Sequence, residues 1–140
     1  MKPGSLIGAA SQRSSCSSEG NASNARRGQA AESLVAEYLV ERGFQIIARN
    51  LRLGHLELDI VARQGDLVAV VEVRERGPGA WTTGLSSIGA RKRLRVRRAG
   101  ERLWRRRFLR DPSVSRMRFD AASVERSPQG ARVVYVPAAF

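Results

Sequence analysis

The segment Leu67–Val73 reads LVAVVEV and limits the possible folds more than any other part of the chain. An apolar run this short is typical of a strand buried on both faces. The preceding segment, Leu56–Ala62, alternates as a strand does. The alternation predicts two opposite faces, with Leu56, Leu58 and Ile60 on one and Glu57, Asp59 and Val61 on the other. Because Gln64-Gly65-Asp66 is a turn sequence, the two segments are predicted to form an antiparallel hairpin.

This hairpin carries acidic residues where burial makes them costly. Glu72 interrupts the apolar run, and pairing about the turn puts it across from, or diagonal to, Glu57 and Asp59. Cross-strand neighbours lie roughly 4.5–8 Å apart, a spacing at which two carboxylates can share Mg²⁺. Arg74 is predicted to project from the same face as Glu72, and Glu32 to add an oxygen ligand from the first helix. Ordinary salt bridges would account for any one of these residues alone, but together they favour a site.

The remaining segments predict an α/β domain with the order α-β-β-β-α-β-β. Helices are expected from about Gly28 to Arg42, with Gly43 as terminator, and from about Ser86 to Leu109. The other strands are expected at Phe44–Leu53, Met117–Val124 and Arg132–Val136, and a loop at residues 74–87. Residues 1–25 lack a hydrophobic period and are predicted to be a disordered tail preceding a single domain over residues 26–140.

The second helix is strongly basic. Residues 91–110 hold eleven basic residues and one acid, so they carry most of the chain's formal charge of +12. Without acids at the i+4 positions such a helix repels itself until an anion binds. We therefore expect it to contact nucleic acid, the alternatives being a solvated face or another acidic partner. The predicted contacts are Arg91, Lys92, Arg93, Arg95, Arg98 and Arg102. Trp104 and Phe108 are predicted to pack in the core.

Several classes of protein are excluded. One cysteine, Cys16, and one histidine, His55, cannot build a zinc cluster, an internal disulfide or a His-rich catalytic site, and His55 is predicted to be a turn residue. No apolar run approaches the roughly 18 residues of a membrane span, and Leu6–Ala10 is too short for a signal-peptide core. A cytoplasmic protein with no membrane partner is expected.

Four segments together resemble the YraN family: GQAAESLVAEYLVERGFQIIARN, ELDIVARQGDLVAVVEVRER, RKRLRV and RFDAASV. The resemblance covers residues 28–124. Members are small bacterial proteins of uncharacterised function with a restriction-endonuclease-like PD-(D/E)xK fold, similar to archaeal Holliday-junction resolvases. The resemblance implies a mixed sheet with a helix on either side and a metal site at one end of the central hairpin.

The resemblance also implies roles for individual residues. Glu32, Asp59 and Glu72 match the acids of the first helix and of the second and third strands. Glu57 matches the acid of the family's Gly-Glu-(Ile/Leu)-Asp, with Leu56 where glycine usually stands. The family's lysine falls on Arg74, and Lys92 matches another family position from which it is predicted to reach the same pocket. Arginine clamps phosphate but stays protonated at any working pH, so Arg74 cannot act as a base.

The sequence thus predicts a metal-dependent, nuclease-like protein that binds structured or branched DNA. Asp59, Glu72 and Glu57 are the expected ligands of Mg²⁺ or Mn²⁺, and Glu32 and Arg74 complete the catalytic set. One alternative is a non-catalytic nucleic-acid-binding module whose site has lapsed with the lysine. Another is an assembly protein that uses the fold to contact an acidic partner. A homodimer would suit a symmetric junction.

Overall fold

The computed structural model describes residues 15–76 and 88–140, with side chains from residue 26 onward. Its elements follow the predicted order α-β-β-β-α-β-β. They are α1 (Ser15–Glu41), β1 (Gln45–Leu53), β2 (Leu56–Gln64), β3 (Leu67–Arg76), α2 (Ala90–Leu103) continued by a π-helical turn (Trp104–Phe108), β4 (Arg116–Ser127) and β5 (Gly130–Val136). The mixed α/β class is therefore confirmed.

The strands form one sheet in the order β1-β2-β3-β4-β5. Among the strands of the described ranges, β3 and β4 alone run parallel, and α2 lies in the connection between them. Each face of the sheet carries one helix. The cluster under α1 includes Val35, Ile60 and Val71, and the cluster under α2 includes Val96, Leu58 and Val70. Residues 67–72 of β3 are buried, as their apolar run predicts.

Three boundaries differ from the predicted ones. α1 begins at Ser15 rather than near Gly28, so residues 15–25 of the predicted tail are helical, while residues 1–14 lie outside the described chain. Helix extension adds one backbone hydrogen bond per residue and needs no apolar face. β3 continues to Arg76, where a loop was predicted, because it pairs with β4 up to Arg76↔Glu125. α2 begins at Ala90 rather than near Ser86, since the preceding Gly89 has an extended backbone. The rest of the predicted loop, residues 77–87, lies outside the described chain.

The predicted faces of β2 are wrong in one respect. Leu58 packs under α2, whereas Ile60 packs under α1, although alternation places them on the same face. The reversal falls at Asp59, opposite Asn50 of β1, which adopts a left-handed backbone with φ of 50°. A residue in this conformation twists a strand sharply. In both strands the alternation of side chains between the two faces of the sheet is therefore reversed at this point, which is where Asp59 lies.

The predicted second helix is not α-helical throughout. At the π-helical turn Leu109 N–H donates to the Trp104 carbonyl at 2.8 Å. This turn holds one residue more than an α-turn. Phe108 consequently follows Leu103 into the core, and residues 105–107, all arginine, stay exposed. Trp104 packs against the same core, so the predicted core position of both aromatic residues is confirmed.

Candidate metal and nucleic-acid site

Asp59 lies where the central hairpin opens. The β2–β3 ladder ends at the pair Ile60↔Val71, so the next residues, Asp59 and Glu72, face each other just beyond it. There the Val73 N–H donates a hydrogen bond to Asp59 Oδ2 at 2.9 Å. The open end of the ladder therefore turns the Asp59 carboxylate toward β3 and Glu72. The side chains of Asp59 and Glu72 converge, as the sequence predicts.

Glu72 is a buried acid with an incomplete set of partners. Its side chain is 3% exposed, and one oxygen, Oε1, lies 3.4 Å from Lys92 Nζ and 3.7 Å from Arg74 Nε. The other oxygen, Oε2, has no hydrogen-bond partner. Burial, and then the negative charge of Asp59, raise the pKa of Glu72 to about 7, although the two cations oppose the change. The pair is thus short of positive charge.

Two more buried polar atoms without partners belong to Arg74, which approaches Glu72, and to Ser123, the neighbour of Arg74 on β4. In the described part of the chain, the buried side-chain nitrogen and oxygen atoms lacking a hydrogen bond are Glu72 Oε2, Arg74 Nε and Ser123 Oγ. β3 and β4 pair in register, so Arg74 lies directly beside Ser123. Because such atoms cost roughly 1–3 kcal/mol each, their concentration in one place points to a ligand with both cationic and anionic parts.

Ser123 is a candidate site residue that could not be predicted from the sequence. A single serine in the apolar run AASV is weak evidence for a functional site, since isolated serines are common in strands. Only the parallel β3–β4 pairing brings it beside Arg74.

The structure places Glu32 at the rim of the carboxylate pair. Its Oε2 accepts a hydrogen bond from Asn50 Nδ2 at 2.8 Å and lies 3.9 Å from Arg49 Nη2. Burial raises the pKa of Glu32, and the negative charges of Asp59 and Glu57 add to the rise. Glu32 is thus electrostatically coupled to the pair, while Asn50 and Arg49 hold its carboxylate.

Glu57 stands apart from the pair. Its side chain is 44% exposed and forms a 3.9 Å ion pair with Arg52. Over residues 26–76 and 88–140, no three acidic, histidine or cysteine side chains are grouped closely enough to hold a metal ion. The structure therefore brings Asp59 and Glu72 together and leaves Glu57 outside. Mg²⁺ and Mn²⁺ accept two carboxylates with waters and phosphate oxygens as further ligands, so the unpaired Glu72 Oε2 and the adjoining Asp59 carboxylate fit such an ion.

The basic surface of α2 lies beside this pair. The predicted contacts other than Lys92 are exposed: Arg91, Arg93, Arg95, Arg98 and Arg102. Arg93 and Arg102 each donate one hydrogen bond to a backbone carbonyl, of Ile88 and Leu53. In the described structure, α2 forms one ion pair, that of Lys92 with Glu72. The exposed arginines thus present uncompensated positive charge.

A second buried carboxylate, Asp120, was also missed by the sequence analysis. It is fully buried on β4 and accepts hydrogen bonds from Arg118 Nε at 2.7 Å and Arg118 Nη2 at 2.9 Å. The Ala138 N–H donates at 2.8 Å, and the Tyr135 hydroxyl donates as well. Burial and this carboxylate raise the pKa of Tyr135. Asp120 therefore anchors the end of the chain to the sheet.

Sheet and site together define a mixed α/β protein with a two-carboxylate centre beside a basic helix. The model of "Uncharacterised protein family UPF0102" matches residues 31–124. A UPF0102 protein of Sorangium cellulosum is 55% identical over 122 residues, 85% of each chain. UPF0102 proteins of Synechococcus and Moorella thermoacetica are 37% and 38% identical over 81% and 82% of this chain, and 88% and 95% of their own lengths. The chain belongs to family UPF0102, the YraN family, which confirms the resemblance.

No helix in the described ranges is both long and apolar enough to cross a membrane.

Proposed function

We propose that this protein is a metal-dependent nuclease that binds structured or branched DNA and hydrolyses a phosphodiester bond. One observation carries the proposal: Glu72 Oε2, Arg74 Nε and Ser123 Oγ are buried without hydrogen-bond partners. Arg74 connects the other two residues, because its Nε lies 3.7 Å from Glu72 Oε1 and its backbone pairs with Ser123 on β4. A divalent cation would satisfy the carboxylate oxygen, and a phosphate oxygen would satisfy the two donors. A phosphate group of a nucleic acid, bound together with a divalent cation, provides both parts of this ligand.

The proposed role of each side chain follows from its charge and its position. Asp59 and Glu72 would hold Mg²⁺ or Mn²⁺, which when bound lowers the pKa of water and stabilises charge on phosphate. Arg74 would hold the scissile phosphate, because its guanidinium matches two phosphate oxygens. Glu32 would act from the rim, where its carboxylate is already coupled to Asp59. Glu57, exposed and paired with Arg52, is given no ligand role.

The exposed arginines of α2 supply the affinity for DNA. Their contacts would be made to phosphates, so binding is expected to be indifferent to base sequence and to weaken steeply with salt. Affinity measured between 50 and 200 mM salt tests this, on duplex, single-stranded and four-way-junction DNA. Arg95→Gln and Arg98→Gln should each lower the salt slope by about one unit. The control is Arg132→Gln, because Arg132 lies on β5, away from α2, and its side chain pairs with Glu125 of β4.

Cleavage is tested on the same DNAs with Mn²⁺ and with EDTA. Metal-dependent products are expected from the wild type, and Asp59→Asn and Glu72→Gln should each reduce the rate by at least about a hundredfold. Glu125→Gln is a matched control, because Glu125 is an acid on the sheet whose partner is Arg132. Products that persist in EDTA or in Asp59→Asn would contradict the proposal.

The second candidate function is a DNA-binding module without catalysis. Arg74 favours it, since this residue stands where the related nuclease pattern has lysine. Salt-sensitive binding with no metal-dependent product on any of the three DNAs would support the module and overturn the nuclease. No binding even at low salt would point to the assembly protein with an acidic partner.

A further inference from the structure

Lys92 reaches the carboxylate pair from α2, whereas Arg74 belongs to the same strand as Glu72. It lies in the first turn of α2, and its Nζ is 3.4 Å from Glu72 Oε1, the oxygen that Arg74 also approaches. The helix is fixed over the sheet by Val96 and Ala99, which are almost fully buried. Lys92 is therefore held at the site by the packing of α2, while 39% of its side chain remains exposed toward solvent.

The two cations at Glu72 differ in what else they can contact. Arg74 is a planar group whose donors point in fixed directions, and its Nε already lacks a partner. Lys92 carries a compact ammonium with three donors that rotate freely. One donor directed at Glu72 leaves two for ligands arriving from the open side. An ammonium in this position can contact a water and a phosphate oxygen together.

We propose that Lys92, and not Arg74, fills the role of the lysine that β3 lacks: it orients the attacking water and neutralises charge on the phosphate. This inference rests on the proposed nuclease function. In the reaction the water oxygen forms a new bond to phosphorus and one phosphorus–oxygen ester bond breaks. The departing oxygen takes up a proton, and the water releases one to solvent. Lys92 belongs to α2, the helix proposed to contact DNA. Binding of the DNA strand to α2 would therefore also position the phosphate next to Lys92 and the water that it orients.

A lysine exchange between the two positions tests the assignment. Lys92→Ala should lower kcat by about a hundredfold or more at saturating DNA. Adding Arg74→Lys to that variant should restore at least about a tenth of the lost rate, since the ammonium returns to the strand beside the same carboxylate. Lys92→Arg should recover less, because guanidinium is planar. By contrast, Arg95→Ala, on the exposed face of α2, should act mainly through KM.

Metal binding gives a second readout that needs no cleavage. Lys92 opposes a divalent cation at Glu72 by charge, so Lys92→Gln should tighten Mn²⁺ binding by roughly tenfold in calorimetric titration. Arg132→Gln, which removes an equal charge from β5, is the matched control and should leave Mn²⁺ affinity unchanged. Circular dichroism and thermal melting of each variant report on folding.

The failures are distinguishable. If the wild type cuts DNA but Lys92→Ala cuts equally fast, or Arg74→Lys restores nothing, the assignment to Lys92 is overturned and the nuclease stands. If the wild type yields no metal-dependent product, the proposed function fails and the assignment falls with it. Mn²⁺ affinity equal in Lys92→Gln and Arg132→Gln would also overturn the placement of Lys92 at the metal.

Discussion

Glu72 and Asp120 are both buried acids on neighbouring strands, yet their surroundings differ completely. Asp120 accepts hydrogen bonds from Arg118, Tyr135 and Ala138, so both of its oxygens have partners. Glu72 has two cations near one oxygen, Lys92 at 3.4 Å and Arg74 at 3.7 Å, and no hydrogen-bond partner at the other. A buried charge is tolerated when its surroundings satisfy it. Asp120 meets that condition from its own chain, and Glu72 does not. The comparison separates an acid that holds the fold from one positioned for a ligand.

The largest expected difference is in stability. Asp120→Ala should lower the free energy of unfolding by about 3–5 kcal/mol, because it leaves the partly buried Arg118 guanidinium, the Tyr135 hydroxyl and the Ala138 N–H without their partner. Urea denaturation followed by circular dichroism measures this. Glu125→Ala, which breaks an exposed pair with Arg132, should cost less than about 1 kcal/mol. An equal loss in the two variants would contradict the anchoring role of Asp120.

The pH dependence of stability should come from Glu72. Its pKa is raised to about 7 in the folded protein, so between roughly pH 4.5 and 7 the folded state binds more protons than the unfolded state. Stability in EDTA should therefore fall as pH rises through this window, by roughly 3 kcal/mol in total. Glu72→Gln should remove this decline and be the more stable protein at pH 8. If the free energy of unfolding of the wild type did not change over this pH range, Glu72 would not differ from Asp120 in how well its charge is satisfied.

A bound divalent cation should stabilise the folded protein through Glu72 and not through Asp120. Mn²⁺ at a hundred times its dissociation constant should raise the free energy of unfolding of the wild type by about 2.7 kcal/mol. Glu72→Gln should lose this gain, whereas Asp120→Asn, though less stable from the start, should keep it. Melting with and without Mn²⁺ compares the three proteins. The distinction between the two acids would be lost if Glu72→Gln gained as much as the wild type.

The smallest effects concern two hydroxyls, that of Tyr135 at Asp120 and that of Ser123, the β4 neighbour of Arg74. Tyr135→Phe removes a hydrogen bond to Asp120 and should cost about 1 kcal/mol. Ser123→Ala removes a buried hydroxyl without a partner, so it should be neutral or stabilise by up to about 1 kcal/mol. A clear loss of stability in Ser123→Ala would show that its hydroxyl is satisfied in the protein and is not held ready for a ligand.

Much of the fold could be predicted because the strong signals are local. The apolar run in β3, the turn at Gly65 and the helical spacing in α1 each depend on a few neighbouring residues. The same holds for the convergence of Asp59 and Glu72, since a tight hairpin fixes their register. Glu72 was recognisable because a charge in an apolar run conflicts with burial.

The features that escaped prediction depend on distant parts of the chain. Alternation alone could not show that β2 exchanges faces at Asp59, because the left-handed Asn50 lies on another strand. Ser123 joins the site only through parallel pairing with β3, and Asp120 gains partners from Tyr135 and Ala138 near the end of the chain. The separation of Glu57 follows from the same exchange of faces. No pattern within one segment carries this information.

The π-helical turn gives the arginine-rich end of α2 an unusual tolerance to changes in chain length. Deleting one residue of Arg105–Arg107 would leave Leu103 and Phe108 at the spacing of an α-turn, still able to enter the same core. The surface would lose one positive charge while the packing beneath it survived. Related proteins could thus differ in length by one residue here. Their affinity for an anionic strand would change, while the packing of the core stayed the same.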